Sequence, residues 1–156
     1  MDIKAMHRSA GGMPRSAAAL LVHAKSDDLS DLQILHLVQA GFPLQDVQVM
    51  ISSSSLFRDR NLLKHITGKS ARAIQRLGAT GSAIRLTALQ SSMAFQYAKA
   101  HEMAAIVFGS QTGAEAWLGR PCRQLSGGVP FDMLDTALGF NVVVDYLERA
   151  RLGVYQ

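Results

Sequence analysis

The chain has 156 residues, enough for one ordinary domain or two very small ones. Hydrophobic residues make up 48% of it, with Ala and Leu dominant, which favours helices packed on helices over β-rich classes. The net charge is +4 and Cys122 is the only cysteine, so an internal disulfide is excluded, and no Cys/His cluster in the sequence offers four metal ligands.

Residues 1–28 carry Gly11-Gly12, Pro14 and scattered charges without periodicity, and read as a flexible or loosely docked N-terminal arm. The run Ala17–Val22 (AAALLV) is too short for a secretory apolar core, and no stretch is long enough to span a bilayer. Together with the single cysteine, this points to a reducing cytoplasm without membrane attachment. Asp31 can cap a helix running to about Ala40, with Leu32, Leu35 and Val38 on one face and Gly41 as its stop. Pro43 opens a second helix from Leu44 to about Ile51, and the serines Ser52 to Ser55 read as a linker or turn.

From Phe57 to Leu77 the pattern is helix, glycine turn, serine-capped helix. Leu62, Leu63 and Ile66 fall at helical spacing, Gly68 breaks the helix, and Ser70 can cap a new one that turns Ile74 and Leu77 inward. This is the local pattern of a helix-turn-helix. It would direct Arg72, Gln75 and Arg76 outward, side chains suited to guanine and adenine edges. Lys69 and Ser70 would lie where a helix N-terminus receives phosphate. Leu86, Leu89, Met93, Tyr97, Ala100, Ala104 and Val107 then recur every three or four residues, which predicts a long core helix over 86–108 that Gly109 ends.

Beyond it, Ala114, Trp117 and Leu118 mark a short helix ending near Gly119, with Trp117 expected to anchor a small core. Gly127-Gly128 predicts a tight turn. Pro130 would start a helix with Phe131, Leu134 and Leu138 inward, and Gly139 would stop it. Asn141 would cap a last helix through about Arg151, with Val143, Leu147 and Ala150 inward.

Charge is distributed unevenly. Over 58–85 the basic residues are Arg58, Arg60, Lys64, Lys69, Arg72, Arg76 and Arg85, against the single acid Asp59. After Ala100 the acids Glu102, Glu115, Asp132, Asp135, Asp145 and Glu148 outnumber Arg120, Arg123, Arg149 and Arg151. Two partners of opposite character would account for this split; a plain solvated basic face would account for its first half equally well. Chemistry is sparse. No glycine-rich phosphate loop follows a strand, no carboxylate pair stands out, and none of the five histidines is spaced with another His or Cys as metal ligands are. A Cys122/His101 nucleophilic dyad exists on paper, but a lone cysteine beside a proline is ordinarily structural. No enzyme, no cofactor and no metal are expected.

The segments AEAWL, LSGGVPFDMLDTALG and VVVDYLERARLGVY resemble the C-terminal toxin-binding domain of the Xre/MbcA/ParS antitoxin family. The matching positions are Ala114, Trp117, Leu118, Leu125, Gly127, Pro130, Met133, Leu134, Thr136, Gly139, Val143, Leu147, Gly153 and Tyr155, over about 93–155. Over about 31–92, Gly68, Ser70, Arg72, Gln75 and Arg76 are similar to that family's turn and recognition helix. Lys69 and Ala73 depart from it, standing where an apolar residue and a threonine are common. The resemblance implies an all-α chain in three parts: the arm over 1–28, an Xre-like helix-turn-helix region over 29–92, and a toxin-binding domain over 93–156. The long helix would join the last two. It implies the antitoxin of a type II toxin–antitoxin system, whose partner is a RES-domain toxin that consumes NAD or transfers ADP-ribose. The C-terminal domain would cover the toxin's active site through Asp145, Glu148, Arg149, Arg151, Leu152, Val154 and Tyr155. Lys69, Ser70, Arg72, Gln75 and Arg76 would bind operator DNA, as a homodimer and within a higher-order toxin–antitoxin complex. The alternative is a helix-turn-helix repressor with no toxin partner.

Overall fold

The computed structural model describes residues 15–153. It is all-α: α1 (Ala17–Val22), a 3-10 turn at Ser26–Asp28, α2 (Asp31–Ala40), α3 (Leu44–Ser52), α4 (Ser55–Asp59), α5 (Leu62–Thr67), α6 (Ala71–Gly78), α7 (Ala88–Phe108), α8 (Gln111–Leu118), 3-10 turns at Arg123–Leu125 and Pro130–Met133, and α9 (Ala137–Arg151). An isolated bridge between Pro43 and Arg85 is the only β-type pairing among the described residues. Most of these helices are too short to hold themselves. Their starts are set by hydroxyl caps at Ser16, Ser30, Ser54, Ser70, Thr87, Ser110 and Thr136, each accepting a backbone N–H three residues on.

The centre of the molecule is α7. Helices α1, α2, α5, α8 and α9 all pack against it, and from Ser91 to Ala105 none of its residues is exposed. Ala94, Ala98, Ala100 and Ala104 are completely buried. Small side chains are what allow neighbours to approach one helix from several sides. The expected stripe is therefore corrected. Leu86, Tyr97, Ala100 and Ala104 are inside, but Met93 and Val107 are only half-buried and Leu89 is 78% exposed. Besides Ala100, the buried positions recur as Ser91, Ala94, Tyr97, Ala98, His101 and Ala104, so the dry face lies about one residue off the expected stripe at its start.

The arm expected over 1–28 is corrected for residues 15–28; residues 1–14 lie outside the described ones. Ala17, Ala18, Leu21 and Val22 are buried where α1 packs on α3 and α7. A partly buried ionic knot holds the segment. Ser16 and Ser26 donate hydrogen bonds to Glu102, and Lys99 Nζ donates to Ser26 Oγ at 2.8 Å, Glu102 Oε2 at 2.9 Å and Asp27 Oδ1 at 3.2 Å. Burial works against the charged Lys99, but its pairing with Glu102 and Asp27 prevails and raises its pKa.

Four further expectations change. Ser30, not Asp31, caps α2 through a full capping box, and no α2 residue is buried. Leu32 and Leu35 are exposed at 60% and 47%, and Val38 is half-buried. The serine run is not only a linker, because Ser54 caps α4, whose Phe57 is fully buried. Pro130 starts a single 3-10 turn, and Thr136 rather than Asn141 caps α9, which runs straight through Gly139. Gly139 is needed for a close approach: a Cβ there would sit 1.9 Å from the Met133 carbonyl oxygen. The earlier start turns Leu138 outward, at 76% exposure. Trp117, expected as a core anchor, is half-buried and stacked between Phe108 and Tyr146, with ring centroids 5.4 and 5.2 Å away. Leu118, Leu134, Val143 and Leu147 fill the core instead. One buried cluster runs continuously from Ala17 to Leu147, across both parts of the chain.

Replacing Ala104 by Leu forces a larger side chain into the packed girth of α7. The expected cost is ~1–3 kcal/mol, seen as a fall of about 3–10 °C in the thermal midpoint by circular dichroism. Leu89→Ala should stay within about 0.5 kcal/mol of the parent; equal effects of the two would refute the packing described.

Candidate functional site

Two surfaces carry the residues singled out in the sequence. The first is built on α5 and α6. Leu62 and Ile66 are buried and fix α5; Gly68 ends it at φ +68°, a conformation costly for other residues. In the turn, Thr67 Oγ1 donates to the Leu63 carbonyl at 2.7 Å and accepts the Lys69 N–H at 3.2 Å. Ser70 Oγ accepts the Ala73 N–H at 3.2 Å and starts α6. Ile74 is the buried residue of α6, so the helix stands out with Leu77 half-buried and the rest exposed or nearly so. Arg72, Gln75 and Arg76 share one outward face by their three- and four-residue spacing, and Lys69 and Ser70 sit exposed at its N-terminal end.

The basic excess divides in two. Arg58, Arg60 and Arg85 donate to backbone carbonyls, of Ser52, Gly119 (3.1 Å) and Gly41 (2.7 Å) respectively, and so serve the scaffold. Lys64, Lys69, Arg72 and Arg76 make no ion pair with any described residue. The cations left over are those of the α5–α6 unit.

The second surface is the outer side of α9. Val143 and Leu147 are buried and orient the helix; Asp145, Glu148, Arg149, Arg151 and Leu152 are all exposed. Val154 and Tyr155 lie outside the described residues. Leu138, expected to face inward, and Val142, to which no role was assigned, join this face. Leu138, Val142, Asp145, Arg149 and Leu152 follow one line along the helix, and its three apolar members are 76%, 42% and 74% exposed. Their signal was the regular four-and-three spacing from 138 to 152. It was hidden because a helix start at Asn141 cuts the line and places Leu138 in a different element.

A buried polar joint connects the two parts of the chain. Glu115, on α8, reaches the start of α4. Its Oε2 accepts the Ser55 hydroxyl at 2.5 Å and the Leu56 N–H at 3.3 Å, while Oε1 accepts Gln111 Nε2 at 3.1 Å and faces His101 Nε2 at 3.4 Å. Burial penalises the carboxylate, but these hydrogen bonds outweigh it and hold its pKa at about 2. Burial dominates at His101 and lowers its pKa, against the pull of Glu115. The two members of the paper dyad are engaged separately: His101 with Glu115, and buried Cys122 with Gln124 Oε1 at 3.5 Å from its sulfur. Among the described residues no group of three His, Cys, Asp or Glu side chains is arranged to hold a metal, and no helix is long and apolar enough to cross a membrane.

Comparison with known families gives a match in the C-terminal third of the chain. Residues 103–153 fit the model described as the antitoxin Xre/MbcA/ParS C-terminal toxin-binding domain. That segment runs from the second half of α7 through α8 and α9, and so contains the exposed α9 line. No curated protein matches the chain.

Both buried titrating groups have folded pKa values below their ordinary 4.5 and 6.5. The stability they contribute is present above those ordinary values. It is lost as pH falls through 6.5 for His101 and from 4.5 towards 2 for Glu115. Urea melts at pH 7.5, 5.5 and 3.5 should therefore show falling stability. Glu115→Gln should lose ~1–3 kcal/mol at pH 7.5 and less at acid pH; a pH-independent difference between the two proteins would show that the joint does not titrate.

Proposed function

Residues 103–153 belong to the Xre/MbcA/ParS family of antitoxin toxin-binding domains, and from that premise we propose that the chain is the antitoxin of a type II system whose toxin has a RES domain. The toxin would consume NAD or transfer ADP-ribose, and α9 with the residues after it would cover its active-site cleft. The observation that carries this reading is the family match, seated on a helix whose outward line carries three exposed aliphatic side chains. An isolated exposed leucine needs no explanation, but three aliphatic side chains in register along one helix form an anchoring strip. Asp145, Glu148, Arg149 and Arg151 border the strip and would orient the toxin on it, with Val154 and Tyr155 extending the contact.

The same chain would repress its own operon in a reducing cytoplasm. Support comes from α6, which offers Arg72, Gln75 and Arg76 outward, Lys69 and Ser70 at its N-terminus, and three cations without an ion-pair partner among the described residues. A homodimer would match a palindromic operator and build a higher-order complex with the toxin. A repressor without a toxin would use the same α6 and leave the α9 strip without a purpose.

Two experiments test the two halves. Leu138→Glu combined with Leu152→Glu changes only exposed side chains and should preserve the circular dichroism spectrum. It should abolish growth rescue and co-purification when co-expressed with the product of an adjacent RES-type reading frame, a loss of at least about 30-fold in affinity. Undiminished rescue would overturn the assignment of α9. Arg72→Ala with Arg76→Ala should weaken the operator shift and reduce the salt slope of binding by about 2; an unchanged shift would move the DNA contact away from α6.

A further inference from the structure

Helix α2 is apolar without being core. Five of its ten residues are large aliphatics, Leu32, Ile34, Leu35, Leu37 and Val38, and Asp31 is its one Asp, Glu, Lys or Arg. Only Val38 packs partly against the core; Leu32, Leu35 and Leu37 are exposed at 60%, 47% and 38%. A helix of this length does not hold itself in water, and burial of an apolar face is the usual support. Beside it lies an open hollow of about 490 Å³. Phe95 and Met103 of α7 line it together with Ile34 of α2 and Phe140 and Val144 of α9. We propose that α2 and this hollow form the face by which two copies of the chain pair, with Leu32 and Leu35 of each copy set against the hollow of the other.

The chemistry of the face narrows its occupant. With no lysine or arginine, α2 offers nothing to the phosphates of a nucleic acid and lacks the cationic border of a helix that lies on a membrane. It also precedes the matched toxin-binding segment, which starts at residue 103. Self-pairing has two requirements of its own. In a two-fold contact the same patch must carry both a ridge and a recess; here the exposed leucines and the hollow share α2. Like charges must also stay apart. Two copies of the α6 face would set arginine against arginine, whereas two copies of α2 would not.

Size agrees with this. The ten residues of α2 and the fifteen around the hollow, of which Asp31 and Ile34 are shared, come close to the roughly 20–30 residues that one partner brings to a standard interface. The rim of the hollow carries both signs, Asp31 and Glu148 with Arg151, so a rotated copy can meet it with opposite charge. The pairing gives the proposed homodimer its surface; it rests on that part of the functional reading and not on the toxin.

Sedimentation velocity of the full chain, without toxin or DNA, tests the pairing. The parent should sediment at about twice the chain's 16.9 kDa. Leu32→Glu with Leu35→Glu should raise the dimer dissociation constant about 30-fold or more and leave a monomer at the same concentration. Both positions are exposed, so the circular dichroism spectrum should be kept. Val144→Lys, on the α9 side of the hollow, should weaken the dimer by itself and serves if the double variant does not fold. Leu138→Glu with Leu152→Glu should stay dimeric. Hydrogen exchange over 31–40 should slow as the parent is concentrated. A dimer unmoved by the α2 and Val144 substitutions overturns this surface and leaves a homodimer formed elsewhere. A parent that is monomeric at every concentration overturns both, whether α2 is then protected by the chain itself or only when the toxin is added.

Discussion

Everything in this molecule leans on one helix. From Ser91 to Ala105 α7 shows no exposed residue, which for a helix in a chain of 156 residues means that the other elements are wrapped around it rather than stacked beside it. The constraint is steric. Five helices can reach a common axis only where its side chains are small, and Ala94, Ala98, Ala100 and Ala104 supply that. Apart from Tyr97, which α7 itself supplies, large core residues such as Phe57, Phe131, Leu118, Leu134 and Leu147 are brought in by the surrounding elements. The axle is thin so that its coat can be thick.

Burial creates a second demand, since polar groups on the axle have little access to water. His101, Glu102 and Lys99 are each met by partners from other parts of the chain: Glu115, then Ser16 and Ser26, then Asp27. These contacts tie α1 and α8 to α7 at defined registers, which alanine packing alone would specify poorly. Glu115 adds a further tie by closing the N-terminus of α4 with a carboxylate from a distant helix, where a helix start favours negative charge.

Local signals were legible in the sequence and encircling ones were not. Gly68 and Ser70 announced the turn before α6, and Pro43 announced α3, because a backbone constraint acts where it stands. The C-terminal motif was legible as a resemblance, and the family match over 103–153 agrees with it. The stripe on α7 was legible in its middle, where Tyr97, Ala100 and Ala104 are buried, and misleading at its ends, where Leu89 is exposed and Val107 half-buried. The inward face of α2 was misread: no residue of this capped, apolar helix is fully buried, and of the expected three only Val38 packs partly against the core, while Leu32 and Leu35 are exposed. Pro130 and Gly139 were taken for a helix start and stop, although Thr136 held the stronger cap between them. Tyr97 was legible as core, but the hollow beside α2 is lined by residues from Ser26 to Arg151, and no local pattern joins them.

The family match begins at Met103, inside α7 rather than at its start. A boundary drawn there would cut the axle and strip half its coat. Any exchange of the toxin-binding unit between relatives, by recombination or by hand, has its clean joint upstream of the Thr87 capping box, and must carry the whole of α7 with it. The helix is then inherited as part of both modules. The exposed surfaces of α6 and α9 can diverge more freely than the buried alanines of α7 between them.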